Sequence, residues 1–151
     1  MFALKDDQIL LGMKKRGFGK GRWNGAGGKV ENGETFEQAA IRECHEEFGI
    51  KPLNPTLVAD LKFYAYFQGE RLDLDVRAYT CTKWEGDLVE TDEMKPKWFN
   101  ISDIPYDKMW QDDKYWLPLI LEGKKLKATF TFDENDAMLT KNIKKVEKLN
   151  D

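Results

Sequence analysis

The sequence predicts an α+β or α/β fold, a mixed β-sheet with helices packed on it. Three observations predict this. Runs rich in β-branched and aromatic residues recur along the chain; in the clearest, Leu72, Leu74, Val76 and Ala78 alternate with Asp73, Asp75, Arg77 and Tyr79. Residues 35–49 carry both a helix start signal and a stop signal. Strand-like and helix-like segments follow one another with no internal repeat, low-complexity tract or Pro/Ser-rich linker, so the 151 residues are expected to form a single domain.

The first segment, Phe2-Ala-Leu-Lys-Asp-Asp-Gln-Ile-Leu-Leu11, reads as a strand pair around an Asp6-Asp7 turn, followed by a basic loop from Lys14 to Arg22. Thr35 and Gln38 form a capping-box pattern, and Gly49 with Pro52 beyond it marks a stop, so a helix is expected from about Phe36 to Phe48. Leu57 to Phe67 and Leu72 to Thr82 read as a hairpin with one buried face, joined through Gln68-Gly-Glu-Arg71. Lys97-Trp-Phe99 suggests a short strand, Asp113 to Leu121 a second helix, and Lys127 to Phe132 a further strand. Pro118 is expected to kink the second helix or confine it to its first turns. From Ala137 the residues Leu139, Ile143 and Val146 fit a helical stripe, and a closing strand fits as well.

Composition narrows the function. Hydrophobic residues at 41% and aromatics at 13% suffice for a core. A net charge of −3 argues against a nucleic-acid partner, because duplex binding leaves a strongly basic footprint. Cys44 and Cys81 are too few for a disulfide framework or zinc cluster, and no apolar run reaches membrane-spanning length. These features favour a reduced, cytoplasmic compartment, with mitochondrial and nuclear pools left open; a monomer is the default expectation, and oligomeric state is left open.

The unusual feature is acidic. At about 100° per residue, Ile41, Cys44 and Phe48 form an apolar stripe, while Glu43, Glu46 and Glu47 fall roughly opposite, beside Ala39 and Ala40. Such pairs repel by a few tenths of a kcal/mol each on an exposed helix. A plain solvated face would interleave Lys or Arg at i+4, and none follows these acids within the helix. A hard divalent cation would offset the repulsion, and Mg²⁺ takes carboxylate oxygens and is commonly completed by substrate phosphates. Gly25, Gly27, Gly28 and Gly33 precede the helix and let backbone approach a ligand closely.

Gly28, five residues, Glu34, seven residues and then Arg42-Glu43-Cys44-His45-Glu46-Glu47-Phe48-Gly49-Ile50 resembles the complete Nudix box. The resemblance implies the Nudix fold, a mixed sheet sandwiched between helices (α/β/α). It also implies a loop-helix-loop that binds Mg²⁺ and hydrolyses a nucleoside diphosphate linked to another group. By that similarity Glu43, Glu46, Glu47 and the carbonyl of Gly27 would ligate metal, joined by Glu93 from the acidic segment Val89 to Met94. The general base would be Glu47 or Glu43, with Arg42 orienting the glutamates through ion pairs. His45 projects away from them and reads as an exposed rim residue.

The likeness extends to Leu11-Gly-Met-Lys-Lys-Arg-Gly-Phe-Gly-Lys-Gly-Arg-Trp-Asn-Gly-Ala-Gly-Gly28 and Met109-Trp-Gln-Asp-Asp-Lys-Tyr-Trp116, which are similar to the MutT-homologue branch. That branch hydrolyses oxidised purine nucleoside triphosphates, such as 8-oxo-dGTP and 2-hydroxy-dATP, to the monophosphate and pyrophosphate. The implied substrate contacts are Lys14, Phe18, Asn24, Gly27, Gly28, Lys29, Trp110, Gln111, Asp112 and Asp113. Several have ordinary alternatives. Asn24 suits a turn beside Gly25 as well as a purine edge, and Lys15, Lys20 and Arg22 read as basic surface. One of Asp112 and Asp113 suits an N-cap; the pair could instead share one proton and meet the purine edge in more than one tautomer. Ala65 and Leu74 stand where that branch would have bulkier residues near the base, and its pocket-lining Thr in a longer first strand has no counterpart, which implies a roomier pocket. The alternatives are a Nudix enzyme of methylated or broad-range dNTPs and a non-catalytic nucleotide sensor.

Overall fold

The turn at Asp6-Asp7 is present in the computed structural model, which describes residues 1–150: Asp6 takes a left-handed φ of 56° between the first two strands. In chain order the strands are β1 (Phe2–Lys5), β2 (Gln8–Lys14), β3 (Trp23–Asn24), β4 (Lys51–Pro52), β5 (Thr56–Phe67), β6 (Glu70–Cys81), β7 (Trp84–Glu85), β8 (Met94–Asn100), β9 (Lys125–Phe132) and β10 (Met138–Val146). The helices are α1 (Phe36–Phe48) and α2 (Asp113–Leu121). The chain divides into one unit of Met1–Thr56 and Tyr79–Met109 and another of Leu57–Ala78 and Trp110–Asn150.

In the first unit β2 pairs antiparallel with β1, β3 and β8, and the end of β6 pairs parallel with β1 through Phe2↔Thr80 and Ala3↔Cys81. Ile9, Leu10 and Leu11 of β2, with Phe48 and Ile50, are each at most 1% exposed and form its core. Helix α1 begins and ends where the sequence signals it. Thr35 Oγ1 accepts from the Gln38 N–H at 3.1 Å, Gln38 Oε1 accepts from the Thr35 N–H at 2.9 Å, and Gly49 closes the helix at φ 80°. The clean division into an apolar and an acidic face is corrected. Glu47 is buried along with Ala39, Cys44 and Phe48, because three residues beyond Cys44 it lies only about 60° round the helix axis from it. The antiparallel pair β4–β7 was not anticipated, since two-residue strands are too short to show a period.

In the second unit β5 pairs parallel with β9, from Ala59↔Leu126 to Tyr64↔Thr131, and β9 pairs antiparallel with β10. Mixed pairing, expected from the sequence, therefore occurs in both units. The β5–β6 turn is tighter than expected: Gln68 and Gly69 both have positive φ, 53° and 79°, the requirement of a two-residue type I′ turn. Leu126, Ala128, Phe130 and Phe132 alternate inward from β9, and Phe63 of β5 stacks on Phe130 at 5.5 Å. The tail is a strand rather than a helix, with Leu139 63% exposed and Lys141, Lys144 and Lys145 exposed along it, a composition typical of strands that must resist further pairing. Pro118 does not stop α2, which continues to Leu121 against β9. Among the described residues no helix is long and apolar enough to cross a membrane.

Candidate active site

Arg42 is the centre of the acidic face of α1. Its Nε and Nη2 donate to the two oxygens of Glu34 at 2.7 and 3.0 Å, and Nη1 donates to Glu43 Oε1 at 2.8 Å and Glu46 Oε2 at 3.3 Å. Nη2 also donates to the Lys29 carbonyl at 3.0 Å, so the guanidinium joins the helix to the loop before it. The reading that these glutamates lack a basic partner at helical spacing is thereby corrected: Arg42 precedes Glu46 by four residues, on the N-terminal side that an i+4 search from each acid does not inspect. Glu34 is held below the usual carboxylate range by Arg42 and by the Glu31 N–H.

Glu47 meets the same loop from the other side. Its Oε1 accepts from the Gly27 N–H at 2.8 Å, and the residue as a whole is only 3% exposed. Burial pushes its pKa up to about 7, against the opposing pull of the Gly27 N–H and the Lys14 charge. The loop backbone also lies against Glu43. A Cβ at Gly28 would sit 2.4 Å from that carboxylate, so any larger residue must displace it.

The donors offered by Glu43, Glu46 and Glu47 are hard carboxylate oxygens, the chemistry that Mg²⁺ accepts. As they stand, Glu43 and Glu46 face Arg42, and among the described residues no group of three or more His, Cys, Asp or Glu is arranged to hold a metal ion. A divalent ion would have to draw these carboxylates partly away from the guanidinium.

Glu93 is bound by Arg16, whose Nε and Nη2 both donate to Glu93 Oε1, at 2.9 and 2.6 Å. Lys15 pairs with Glu90 beside it. Lys14 is half-buried, Phe18 is half-buried, Lys29 is exposed and His45 is exposed. Asn24 turns its Oδ1 to the Gly25 N–H at 2.8 Å, the turn-forming contact that was its ordinary alternative.

The remaining predicted contacts belong to the second unit. Trp110 is half-buried and meets Phe132 edge-on at 5.6 Å. Gln111 Oε1 accepts from the Met138 N–H at 2.8 Å, so its carbonyl is engaged by β10. Asp112 and Asp113 are 2% and 3% exposed. The N-cap reading is corrected: Asp112 stands at the cap position but makes no side-chain cap bond, and its Oδ2 accepts from Trp116 Nε1 at 2.8 Å instead. Among the described residues Asp113 Oδ2 is buried and has no hydrogen-bond partner. Burial raises Asp112 to about 6, and burial followed by the neighbouring Asp112 raises Asp113 well above the usual range. Sequence reasoning missed Trp116, although its i,i+4 spacing from Asp112 was a usable signal. It also missed Arg16 as the partner of Glu93, a pairing across 77 residues that no local pattern reveals.

Comparison with known proteins agrees with this geometry. Residues 1–120 match the NUDIX domain family. The chain is 43% identical over 149 residues to a Danio rerio protein named oxidized purine nucleoside triphosphate hydrolase, covering 99% of this chain and 94% of that one. A Mus musculus protein of the same name is 41% identical over 147 residues, covering 97% and 93%. Among solved structures, a mutator MutT protein from Bacillus halodurans superimposes with a TM-score of 0.83 at 26% identity, covering 94% of this chain and 93% of its own. A MutT NUDIX hydrolase from Burkholderia pseudomallei, 32% identical, gives 0.59 and covers 69% and 83%. With the acidic helix, its glycine loop and relatives matched along nearly their whole lengths, the chain belongs to the Nudix family of hydrolases.

Proposed function

We propose that this hydrolase is a Mg²⁺-dependent nucleoside triphosphate diphosphatase that acts on oxidised purine nucleotides, releasing the monophosphate and pyrophosphate and so cleansing the cytoplasmic nucleotide pool. The names of its full-length relatives support the substrate class. The observation that carries it in this chain is the adjacent, buried pair Asp112 and Asp113, neither of them used as a helix cap. Two close acids raised by burial hold a proton between them near neutral pH, so one donates and the other accepts. That combination suits an oxidised purine edge, which presents donors and acceptors in altered order.

Glu43, Glu46 and Glu47 would hold Mg²⁺ with the Gly27 carbonyl, and Glu93 would join them once released by Arg16. Bound Mg²⁺ supplies charge neutralisation at the phosphates and acidifies water in its vicinity. Arg42 keeps Glu43 and Glu46 oriented, and its tie to the Lys29 carbonyl holds the loop over them. Lys14 supplies positive charge beside Glu47 for the triphosphate. We assign the proton-accepting role to Glu47, because Glu43 is engaged by Arg42 whereas Glu47 receives a backbone N–H from Gly27. In-line attack at the β-phosphorus then needs little more than positioning and charge stabilisation.

A second reading has its own support. Ala65 is small and Leu74 only half-buried, both in the unit that carries the acid pair, which favours a looser fit and hence methylated or a broader range of dNTPs. A pyrophosphate-release panel of ordinary, oxidised and methylated dNTPs with Mg²⁺ separates these. Preference of about tenfold or more in kcat/KM for oxidised purines is expected. A flat profile would contradict the oxidised-purine assignment, and no turnover on any triphosphate would contradict the diphosphatase.

A further inference from the structure

Residues 86–93 close the C-terminal end of α1. The last carbonyls of a helix have no intrahelical donor and need one from elsewhere. The Gly49 N–H bonds the His45 carbonyl at 2.9 Å, and the Val89 N–H donates to the Phe48 carbonyl at 2.9 Å. The Thr91 hydroxyl donates to the carbonyl of Glu47, also at 2.9 Å. Thr91 Oγ1 also accepts from the Met94 N–H at 3.3 Å, while the Thr91 N–H donates to the Met94 carbonyl at 3.0 Å. Across from this turn the Lys15 N–H holds the Glu93 carbonyl at 2.9 Å.

Thr91 therefore stands between two carboxylate-bearing residues that are distant in sequence. On one side it holds the backbone of Glu47; on the other it closes the turn that contains Glu93. The Val89 contact is made by backbone and survives most substitutions, but the Thr91 contact needs a hydroxyl that both donates and accepts. Valine has the same shape and can do neither, whereas serine can do both.

We propose that Thr91 is a positioning residue that fixes Glu93 relative to Glu47, so that both carboxylates reach one divalent ion. The role rests on the reading that Glu47 and Glu93 bind Mg²⁺. Hydrogen-bonding partners behind metal ligands commonly change metal affinity by about 10- to 100-fold when removed. Thr91 acts through backbone geometry, so the lower end of that range is expected.

Magnesium titration calorimetry on the full chain tests this, with the Mg²⁺-induced rise in unfolding temperature as a second readout. Thr91→Val should weaken Mg²⁺ binding about tenfold, and Thr91→Ser should restore it to near the wild-type value. In a Glu93→Gln background, Thr91→Val should weaken Mg²⁺ no further. Equal losses for Val and Ser, or an undiminished Val effect in the Glu93→Gln background, would overturn the proposal. So would unchanged binding in Thr91→Val. If Thr91→Val does not fold, amide hydrogen exchange of the wild type decides: Mg²⁺ should slow exchange at Val89 and Met94, and unaltered exchange would overturn it. A wild-type chain that neither binds Mg²⁺ nor hydrolyses triphosphates would instead sink the functional reading on which Thr91 depends.

Discussion

The Gly27 N–H lies 2.8 Å from Glu47 Oε1, so the loop that precedes α1 and the most buried acid of that helix share a hydrogen bond. Glutamine at position 47 preserves an acceptor for Gly27 and removes the charge. Glu47→Gln should lower kcat by at least about 100-fold, the scale of losing a general base. The folded-state pKa of Glu47 is raised from 4.5 to about 7, so the penalty for ionising it in the folded state grows between those values and is complete above about pH 7. In EDTA at pH 8 the variant should therefore melt at an equal or higher temperature than wild type, measured by thermal denaturation.

Gly28→Ala places a methyl group where the Glu43 carboxylate now sits. The carboxylate is the far end of a flexible side chain, so it can move without disturbing the helix. The unfolding temperature should change little, while Mg²⁺ half-saturation in the hydrolysis assay rises about tenfold or more. An unchanged metal requirement would mean that the contact between loop and Glu43 has no part in the site.

Arg42→Lys keeps a charge but loses the fork that reaches Glu34, Glu43 and the Lys29 carbonyl together. A point charge cannot hold all of them at once. The expected result is a fall in kcat/KM of at least about tenfold with binding of nucleotide retained, read from steady-state kinetics and nucleotide-induced thermal shift.

Much of this was legible in the sequence because it is local. The limits of α1, its cap, its stop at Gly49 and the cluster of Glu43, Glu46 and Glu47 all follow from spacing within one segment. The ion pair of Arg16 with Glu93 was not legible, since it joins a turn after β2 to the residue before β8. Burial of Glu47 was partly legible, since a helical wheel sets it only about 60° from Cys44; what the wheel does not contain is the loop at Gly27 that covers it from outside the helix. The tail was ambiguous because Leu139, Ile143 and Val146 satisfy a helical period; pairing with β9 decides for a strand, and no local pattern contains that partner.

The acid pair predicts an opposite trend from ordinary acid denaturation. Asp112 is raised from the ordinary 3.8 to about 6, and Asp113 is raised as well. Below the unfolded value both states are protonated and no penalty exists; between its two values folded Asp112 binds more protons, so its penalty grows with pH and is complete above about pH 6, while that of Asp113, raised further by burial and by Asp112, goes on growing beyond it. Asp112→Asn removes its share while leaving an acceptor for Trp116. Relative to wild type, the metal-free variant should gain stability between pH 4 and pH 7, by an amount on the order of 3 kcal/mol if the full shift of Asp112 is lost. Chemical denaturation at the two pH values measures it, and a pH-independent difference would contradict the buried-acid assignment.

The most direct test of the central claim is calorimetric titration of Mg²⁺ in the presence of a non-hydrolysable purine triphosphate, for wild type and Glu46→Gln. The acidic face of α1 should take up the ion in wild type, and removing one carboxylate should weaken uptake about tenfold or more. No Mg²⁺ uptake by wild type, or uptake that ignores the loss of Glu46, would contradict the assignment of these glutamates to a metal and polyphosphate site.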